Sequence, residues 1–300
     1  TTTLVPTAMT ATHSELVGFI NAYHSFKKHS KYSDAAVGLH LEGPYFSNTD
    51  KSSKGAQSGN LIRDISFAEI AELLDTADGS IIRWDAAPEI PNSAKFAEIC
   101  KENNIICAAA HTNATAAEAQ RGFEAGFSHI THFYNAVTAY KKRGQKVTAG
   151  VVEAAYLNDG VTLELICDGR HVSDTMLRAA YKIFGEEKIV IISDSLSCTG
   201  LADGIYPMGE LTVEVKDGLG RLADGTIAGA SNNLFEGFRH LVKCGIPLES
   251  AVRMASYNPA KILGVSERLG TIEPGKTASL VMIDKELNIR TVYLKGKKIL

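Results

Sequence analysis

The chain has little cysteine or proline, no excess of charge of either sign and no long apolar run. Its 300 residues include five cysteines, eight prolines and one tryptophan, and 31 lysines and arginines nearly balance 34 aspartates and glutamates, for a net charge of −3. A nucleic-acid-binding face needs a clear basic excess. The apolar runs are short, such as Ile189–Ile192, whereas a bilayer-spanning helix needs about 20 apolar residues. We therefore expect no nucleic-acid partner and no membrane partner.

The cysteine pattern indicates free thiols. The five residues cannot all pair, none forms a Cys-x-x-Cys motif, and Cys107 lies among apolar neighbours. Buried free thiols are typical of reducing compartments. We therefore expect a cytoplasmic protein with neither a disulfide framework nor a thiolate metal site.

Short apolar runs alternate with amphipathic stretches along most of the chain. The runs are Ala36–Leu41, Ile81–Ala87, Ile105–Ala110, His129–Thr131, Leu163–Cys167 and Ile189–Ser193. Near-continuous apolar runs indicate parallel strands that are covered on both faces. The stretches between them, for example His13–His29, carry apolar residues at helical spacing. The alternation predicts a parallel α/β fold, and the number of units favours a (β/α)8-type, TIM-like barrel over an open sheet.

Two segments depart from this alternation and predict the domain organisation. The first alternates in period two over Leu211–Val215 and contains two Asp-Gly turns, which predicts a β-hairpin insert at about 209–226. The second begins with a turn-rich stretch at 270–276 and continues as strand-like sequence. We expect a barrel domain over residues 1–268 and a portion of a small β-sandwich domain over residues 269–300.

Ionisable side chains follow the predicted strands at their carboxyl ends and are almost absent within them. They are Glu42, His111, His132, Asp168, His171 and Asp194. In a barrel these positions meet at one mouth, where active sites are built. Glutamate, histidine and aspartate side chains that converge there predict a divalent metal site, with Zn²⁺ as the natural occupant.

Several polar residues near these strands have two interpretations. His40 shares a strand face with Glu42 and either supports the site or packs in the barrel. Asp168 either joins the site or caps the turn that follows it. We expect the remaining histidines, including His129 and His240, to be structural or surface residues.

Four motifs resemble the family of N-acetylglucosamine-6-phosphate deacetylases, within the amidohydrolase superfamily. They are GLHLEGP at 38–44, HTNAT at 111–115, THFYNA at 131–136 and DGRHV at 168–172. The sequence GTIEPGK at 270–276 is similar to the start of the superfamily's small β domain. Order and approximate spacing agree along the whole chain. The resemblance implies a member that lacks the family's first βα unit, with Thr1–Thr10 in the place of the second strand.

The resemblance also implies roles for individual residues. Glu42, His111 and His132 would hold one divalent ion per subunit, Zn²⁺ first, with Fe, Mn or Co as alternatives. Asp194 would be the catalytic acid and base. The implied substrate-binding residues are Ala56, Gln57, Asn135, Ala136, Arg143, His171, Ile227, Ala228 and Gly229. Among them, Arg143 would meet the phosphate through its guanidinium group.

The activity implied by the resemblance is the metal-dependent hydrolysis of N-acetyl-D-glucosamine 6-phosphate to D-glucosamine 6-phosphate and acetate, in amino-sugar catabolism. A homodimer is implied as well. Two alternatives stay open at this point. One is another amidohydrolase that acts on a different N-acyl sugar or on a cyclic amide, and the other is a non-catalytic fragment that binds a sugar phosphate.

Overall fold

The computed structural model describes residues 1–143 and 145–300, with the backbone alone for Arg143. The strands, in chain order, are β1 (Thr7–Ala8), β2 (Leu39–Tyr45), β3 (Ile81–Ala86), β4 (Ile106–Ala109), β5 (His129–Ile130), β6 (Lys141–Arg143), β7 (Lys146–Thr148), β8 (Thr162–Ile166), β9 (Ile189–Ile192), β10 (Gly204–Met208), β11 (Leu211–Lys216), β12 (Leu219–Arg221), β13 (Ile227–Ala230), β14 (Leu280–Ile283), β15 (Ile289–Leu294) and β16 (Lys297–Lys298). The helices are α1 (His13–His29), α2 (Lys51–Lys54), α3 (Phe67–Ala77), α4 (Ser93–Glu102), α5 (Ala116–Ala125), α6 (Val151–Tyr156), α7 (Asp174–Phe184), α8 (Leu234–Lys243), α9 (Leu248–Ala255) and α10 (Tyr257–Ile262). Among the described residues, no helix combines the length and apolar character needed to cross a membrane.

Seven parallel strands form one curled sheet, in the order β1-β2-β3-β4-β5-β8-β9. Helices α1 and α3 to α9 pack against the sheet, and one apolar core joins the two layers through residues such as Leu41, Trp84 and Leu177. This arrangement confirms the predicted TIM-like α/β class. Of the strands that the structure describes, β1 and β9 are the two edges.

Local capping explains where two of these helices begin. The Thr12 side chain accepts a hydrogen bond from the Glu15 backbone N–H (3.3 Å), and the Thr12 N–H donates to the Glu15 carboxylate (2.9 Å) at the start of α1. Thr115 and Glu118 repeat this reciprocal pattern at the start of α5. Such capping boxes satisfy backbone donors that would otherwise have no partner in the first turn. The predicted helix at His13–His29 is confirmed at both ends.

The concave side of the sheet carries charged side chains, which contradicts the expectation that ionisable residues are almost absent within the strands. Arg83 and Asp85 in β3 and Glu164 in β8 are 7%, 0% and 5% exposed. Arg83 Nε donates to Asp85 Oδ1 at 3.1 Å, and the same guanidinium also hydrogen-bonds Glu164. Charges are tolerated at such depth only when they are paired and hydrogen-bonded. Local apolar patterns do not contain this information, because the pairing joins distant strands.

The strand bounds differ from the prediction at the first two strands. β2 runs on to Tyr45, so Glu42 lies inside this strand rather than after it. The pairing of β2 with β3 continues from Glu42 to Tyr45 through a register shift, and Trp84 Nε1 donates to the Gly43 carbonyl (2.9 Å) across it. Near the start of the chain, only Thr7–Ala8 form a strand, while Leu4 makes a single bridge to Ala36.

The predicted hairpin at about 209–226 is part of a larger antiparallel sheet of four strands, β10 to β13. One face of this sheet buries Val213 and Val215 against Cys198. The outer strand β10 contains Pro207 and leaves Ile205 74% exposed, so its sequence lacks a clear strand pattern. Proline is confined to such edge strands because it cannot donate a ladder hydrogen bond.

The C-terminal residues form a second antiparallel sheet, made of β14, β15 and β16. The first two of these strands match the strand-like sequence predicted after residue 276. Residues 141–148 form a further short hairpin, β6 and β7, which no sequence pattern indicated.

Candidate active site

Three side chains from neighbouring strands meet at the mouth of the curled sheet. Glu42 belongs to β2, His111 follows β4 and His132 follows β5. Glu42 Oε1 lies 2.9 Å from His111 Nε2 and 3.1 Å from His132 Nε2, and the two imidazole nitrogens are 3.2 Å apart. The side chains are 13%, 6% and 5% exposed, respectively. The structure therefore brings the three predicted ligands together in a nearly buried triangle.

The second nitrogen of each imidazole is engaged by the backbone. His111 Nδ1 lies 3.1 Å from the Ser53 and Lys54 carbonyl oxygens, and His132 Nδ1 lies 3.0 Å from the Asn135 oxygen. A carbonyl oxygen only accepts, so each Nδ1 carries a proton and each Nε2 faces Glu42. There Nε2 either carries a second proton and donates to the carboxylate, or offers its lone pair to a cation.

Two imidazole lone pairs and a carboxylate oxygen that face each other repel unless a positive charge lies between them. One carboxylate and two histidines are also a common ligand set of catalytic zinc sites, which keep a position open for water. The separations of 2.9–3.2 Å are close to those of ligands that share one ion through bonds of about 2.0–2.1 Å. The residues at this site fit a divalent metal ion.

The pKa values of the cluster reflect the same crowding. Burial alone lowers the pKa of His132, but the hydrogen bond and the charge of Glu42 outweigh it and raise this pKa to about 9. Burial raises the pKa of Glu42, but the two histidines hold it well below its usual range. The site therefore favours a charged carboxylate beside positive charge.

Asp194 follows β9 and lines the same cavity as the triangle. Burial raises its pKa, the positive charge of His132 opposes this rise, and the negative charge of Glu42 adds to it. A carboxyl group with a raised pKa at the edge of a candidate metal cluster is suited to take up a proton and release it again.

Three of these four residues adopt a backbone conformation that is unusual for their type. The φ angles of His111, His132 and Asp194 are 45°, 31° and 49°, in the left-handed region. Such conformations cost about 1–3 kcal/mol each and cluster at functional sites. Glu89 holds the backbone that follows His111. Its carboxylate accepts hydrogen bonds from Thr112 Oγ1 and from the Asn113 N–H, both at 2.6 Å.

A cavity of about 1670 Å³ extends from the triangle and contains most of the predicted substrate-binding residues. Those that line it are Ala56, Gln57, Asn135, Ala136, His171, Ile227, Ala228 and Gly229. Arg143 is the last residue of β6, and its side chain lies outside the described residues.

The wall of this cavity includes buried polar atoms that lack a hydrogen-bond partner among the described residues. Among the described residues, Asn135 Nδ2 and His171 Nε2 have no hydrogen-bond acceptor or donor in reach. Asp168 fixes the His171 ring by a 2.7 Å contact between Oδ2 and Nδ1 and accepts from the backbone N–H groups of Arg170 and His171. Asp168 therefore caps its own turn rather than joining the triangle. Buried polar atoms without partners carry a free-energy cost, which a polar ligand in the cavity would remove.

Gln57 and Gly229 lie on two sides of the cluster. Gln57 Nε2 is 3.3 Å from His111 Nε2, and its Oε1 accepts from the Thr10 N–H at 2.9 Å. Gly229 has a φ of +147°, and a Cβ atom there would lie 3.0 Å from the Asp194 carbonyl oxygen. Only glycine permits β13 to approach Asp194 so closely.

Sequence reasoning missed the polar layer beneath the triangle. Thr131, directly before His132, donates to Asp85 Oδ2 at 2.6 Å and accepts from Arg83 at 2.5 Å. His40 Nε2 lies 2.9 Å from Asp85 Oδ1, so His40 packs inside the barrel rather than at the mouth. The one signal in the sequence is the alternation of Arg83 and Asp85 within an otherwise apolar run, which places both side chains on the concave face.

Residues 2–299 match the family described as the Amidohydrolase family, and the chain belongs to it. The N-acetylglucosamine-6-phosphate deacetylase of Vibrio furnissii is 30% identical over 298 residues, which are 99% of this chain and 72% of that protein. The N-acetylgalactosamine-6-phosphate deacetylase of Escherichia coli O157:H7 is 31% identical over 262 residues, 87% of this chain and 67% of that protein. A similar solved structure is that of a mutant N-acetyl-D-glucosamine-6-phosphate deacetylase from Mycobacterium smegmatis in complex with N-acetyl-D-glucosamine-6-phosphate. The superposition of this chain on that structure has a TM-score of 0.92 at 30% sequence identity. The match covers 100% of this chain and 77% of that one.

Proposed function

We propose that the chain catalyses the metal-dependent hydrolysis of N-acetyl-D-glucosamine 6-phosphate to D-glucosamine 6-phosphate and acetate. The observation that carries this proposal is the triangle of Glu42, His111 and His132 beside Asp194 in one cavity. The likeness to deacetylases of phosphorylated N-acetyl sugars supplies the substrate class.

Glu42, His111 and His132 would hold the ion. Once bound, such an ion polarises the amide carbonyl and lowers the pKa of a water molecule from about 15.7 towards 7. Asp194 takes the proton of the attacking water and then delivers it to the amine as the C–N bond breaks. A raised pKa suits both halves of this task, because the carboxyl must first accept and then release one proton.

The polar groups on the cavity wall would bind and orient the sugar. His171 Nε2 and Asn135 Nδ2 lack partners among the described atoms and supply hydrogen bonds to hydroxyl or carbonyl oxygens. Gln57, whose Nε2 lies 3.3 Å from His111 Nε2, would donate to the acetyl carbonyl. A donor aimed at the developing oxyanion stabilises the transition state by about 3 kcal/mol. Ala56, Ala136 and β13 would line the sugar, and Arg143 would bind the phosphate.

The E. coli relative favours a second candidate substrate, N-acetylgalactosamine 6-phosphate. That sugar differs from the first in the configuration of one hydroxyl group, and the relative named for it is about as similar to this chain as those named for the glucosamine compound. The acetamido chemistry is the same for both. The distinction depends on contacts to a single hydroxyl.

We further propose finer properties of the same enzyme. Zn²⁺ is the preferred ion, with Fe, Mn and Co as alternatives, because histidine and carboxylate ligands suit borderline cations. All five cysteines are free in the structure, which supports a reducing, cytoplasmic setting. The remaining proposals are a homodimer, a barrel domain over residues 1–268 and a β-sandwich portion over residues 269–300, to which β14–β16 would belong.

Steady-state kinetics on three sugars test the proposal. We expect the highest kcat/KM for N-acetylglucosamine 6-phosphate, a lower value for N-acetylgalactosamine 6-phosphate and a much lower one for unphosphorylated N-acetylglucosamine. Loss of a charge-assisted contact to the phosphate lowers the binding free energy by about 1.5–3 kcal/mol. Arg143→Ala should therefore raise KM for the phosphorylated sugars about 10- to 150-fold and leave N-acetylglucosamine unaffected.

The neighbouring exposed cation provides the control. Lys142→Ala removes a charge from the same short strand. It should change neither the KM for the phosphorylated sugars nor that for N-acetylglucosamine. Equal kcat/KM for the phosphorylated and unphosphorylated sugars would rule out a phosphosugar specificity, and a preference for the galactosamine compound would select the second candidate.

A further inference from the structure

A second group of metal-ligating side chains lies outside the active site, between α7 and α8. Asp174 is the first residue of α7, His240 is in the last turn of α8, and Cys244 caps the C-terminus of α8. One ligand atom of each residue lies within 4.8 Å of the other two. The spacing of His240 and Cys244, four residues along a helix, places both side chains on one face.

The geometry of this group is close to what a single ion needs. His240 Nε2 already lies 2.9 Å from Asp174 Oδ1, and bonds of about 2.0–2.3 Å to nitrogen, oxygen and sulfur place ligand atoms a little over 3 Å apart. Small side-chain movements would bring the thiol to the same distance. A carboxylate, an imidazole and a thiolate are all zinc ligands, and the thiolate favours Zn²⁺ over Mg²⁺ and Ca²⁺.

The helix ends around the group leave room for a water ligand and an entry path. The Asp174 side chain is 62% exposed and that of His240 is 31% exposed. The group is therefore open on one side, as a site with three protein ligands and one water requires. On its other side, the His240 ring packs on the backbone of Gly169, where a Cβ atom would come within 2.5 Å of the ring.

From these observations we infer that Asp174, His240 and Cys244 form a second metal site, which binds a borderline divalent cation such as Zn²⁺. The ion ties the first turn of α7 to the last turn of α8. It does so directly behind the 168–171 turn that carries His171. His240 is then a ligand rather than the structural residue that its sequence context predicts, and Cys244 belongs to a thiolate site that the cysteine spacing alone does not reveal. This inference stands on its own residues and is independent of the proposed function.

Cobalt substitution tests the second site separately from the active site. The ligands Glu42, His111 and His132 contain no sulfur, so a thiolate-to-Co²⁺ charge-transfer band in the near ultraviolet reports only an ion bound by cysteine. The metal-stripped full chain titrated with Co²⁺ should develop this band. His132→Ala, which removes an active-site ligand, should keep the band, and so should Cys198→Ala, which removes a buried thiol elsewhere.

Variants of the second site should behave in the opposite way. Cys244→Ala should abolish the band. His240→Ala should weaken Co²⁺ binding at this site by at least about tenfold, because the loss of a residue that only hydrogen-bonds a ligand already lowers metal affinity about 10- to 100-fold. Zn²⁺ should raise the melting temperature of His132→Ala but not that of the double variant with Cys244→Ala, because only the former retains a site that stabilises the native state. Absence of the band in the unmodified chain, or its survival in Cys244→Ala, would overturn the inference.

Discussion

At the scale of single residues, the proposed chemistry depends on Asp194. Its carboxyl group lies at the cavity beside Glu42 and His132, and burial raises its pKa. Asp194→Asn keeps the size and polarity of the side chain but removes its ability to transfer a proton. We expect kcat to fall by about 10²–10⁴-fold, with KM and bound metal little changed.

A matched control for this substitution is Asp203→Asn, which alters an aspartate directly before β10 that accepts from the Asp217 N–H at 3.0 Å. It should retain full turnover. Metal content and initial rates of acetate release measure both variants, and an undiminished kcat in Asp194→Asn would exclude the acid-base role.

Sequence motifs identify the residues at the mouth better than the residues that support them. Glu42, His111 and His132 stand in recognisable motifs within or directly after strands, and the structure brings them together. Glu89 and Thr131 act through hydrogen bonds to residues far away in the sequence. No local pattern of apolar and polar residues predicts such contacts, because they depend on how neighbouring strands and loops are placed in space.

At the scale of elements, the approach of β13 to the end of β9 shapes the active site. Gly229 has a positive φ, and a Cβ atom there would lie 3.0 Å from the Asp194 carbonyl oxygen and 3.1 Å from the Leu196 side chain. Gly229→Ala should push β13 away from Asp194. We expect kcat to fall at least about tenfold, since small displacements of a catalytic group are costly.

The matched control is Gly225→Ala in the turn before β13. Gly225 also has a positive φ, but no atom of the described residues lies within 4 Å of the added Cβ. Both variants should lose about 1 kcal/mol of unfolding free energy from backbone strain, and only Gly229→Ala should lose turnover. Denaturant unfolding and steady-state kinetics separate the two effects, and equal turnover in both variants would show that this contact does not position Asp194.

Strands and helices with a strong pattern were predicted well, and elements held by tertiary context were not. The helix at His13–His29 and the buried strand near Ile189 follow from periodicity alone. β10 is interrupted by Pro207, and β6 and β7 are three residues long, so their pairing partners rather than a periodic pattern define them. The extension of β2 through Glu42 depends on the register with β3.

At the scale of the whole molecule, the fold class follows from the alternation of strands and helices, and the distribution of charge inside it does not. Arg83, Asp85 and Glu164 form a buried, paired layer on the concave face of the sheet. This layer lies beneath the triangle, to which Thr131 connects it. Loss of one partner from a buried pair of this kind is strongly destabilising. The layer therefore restricts substitution at the inner wall of the cavity, which Arg83 and Glu164 line.

In the proposed mechanism, the triangle of Glu42, His111 and His132 holds the ion that hydrolysis requires. The most direct measurement is acetate release from N-acetylglucosamine 6-phosphate by the chelator-stripped chain as Zn²⁺ is returned, with bound metal counted at each step. We predict no turnover in the metal-free protein and full recovery in the unmodified chain, but no recovery in His132→Ala at any Zn²⁺ concentration. Full turnover by the metal-free chain, or by His132→Ala, would contradict a role of this triangle in holding a required ion.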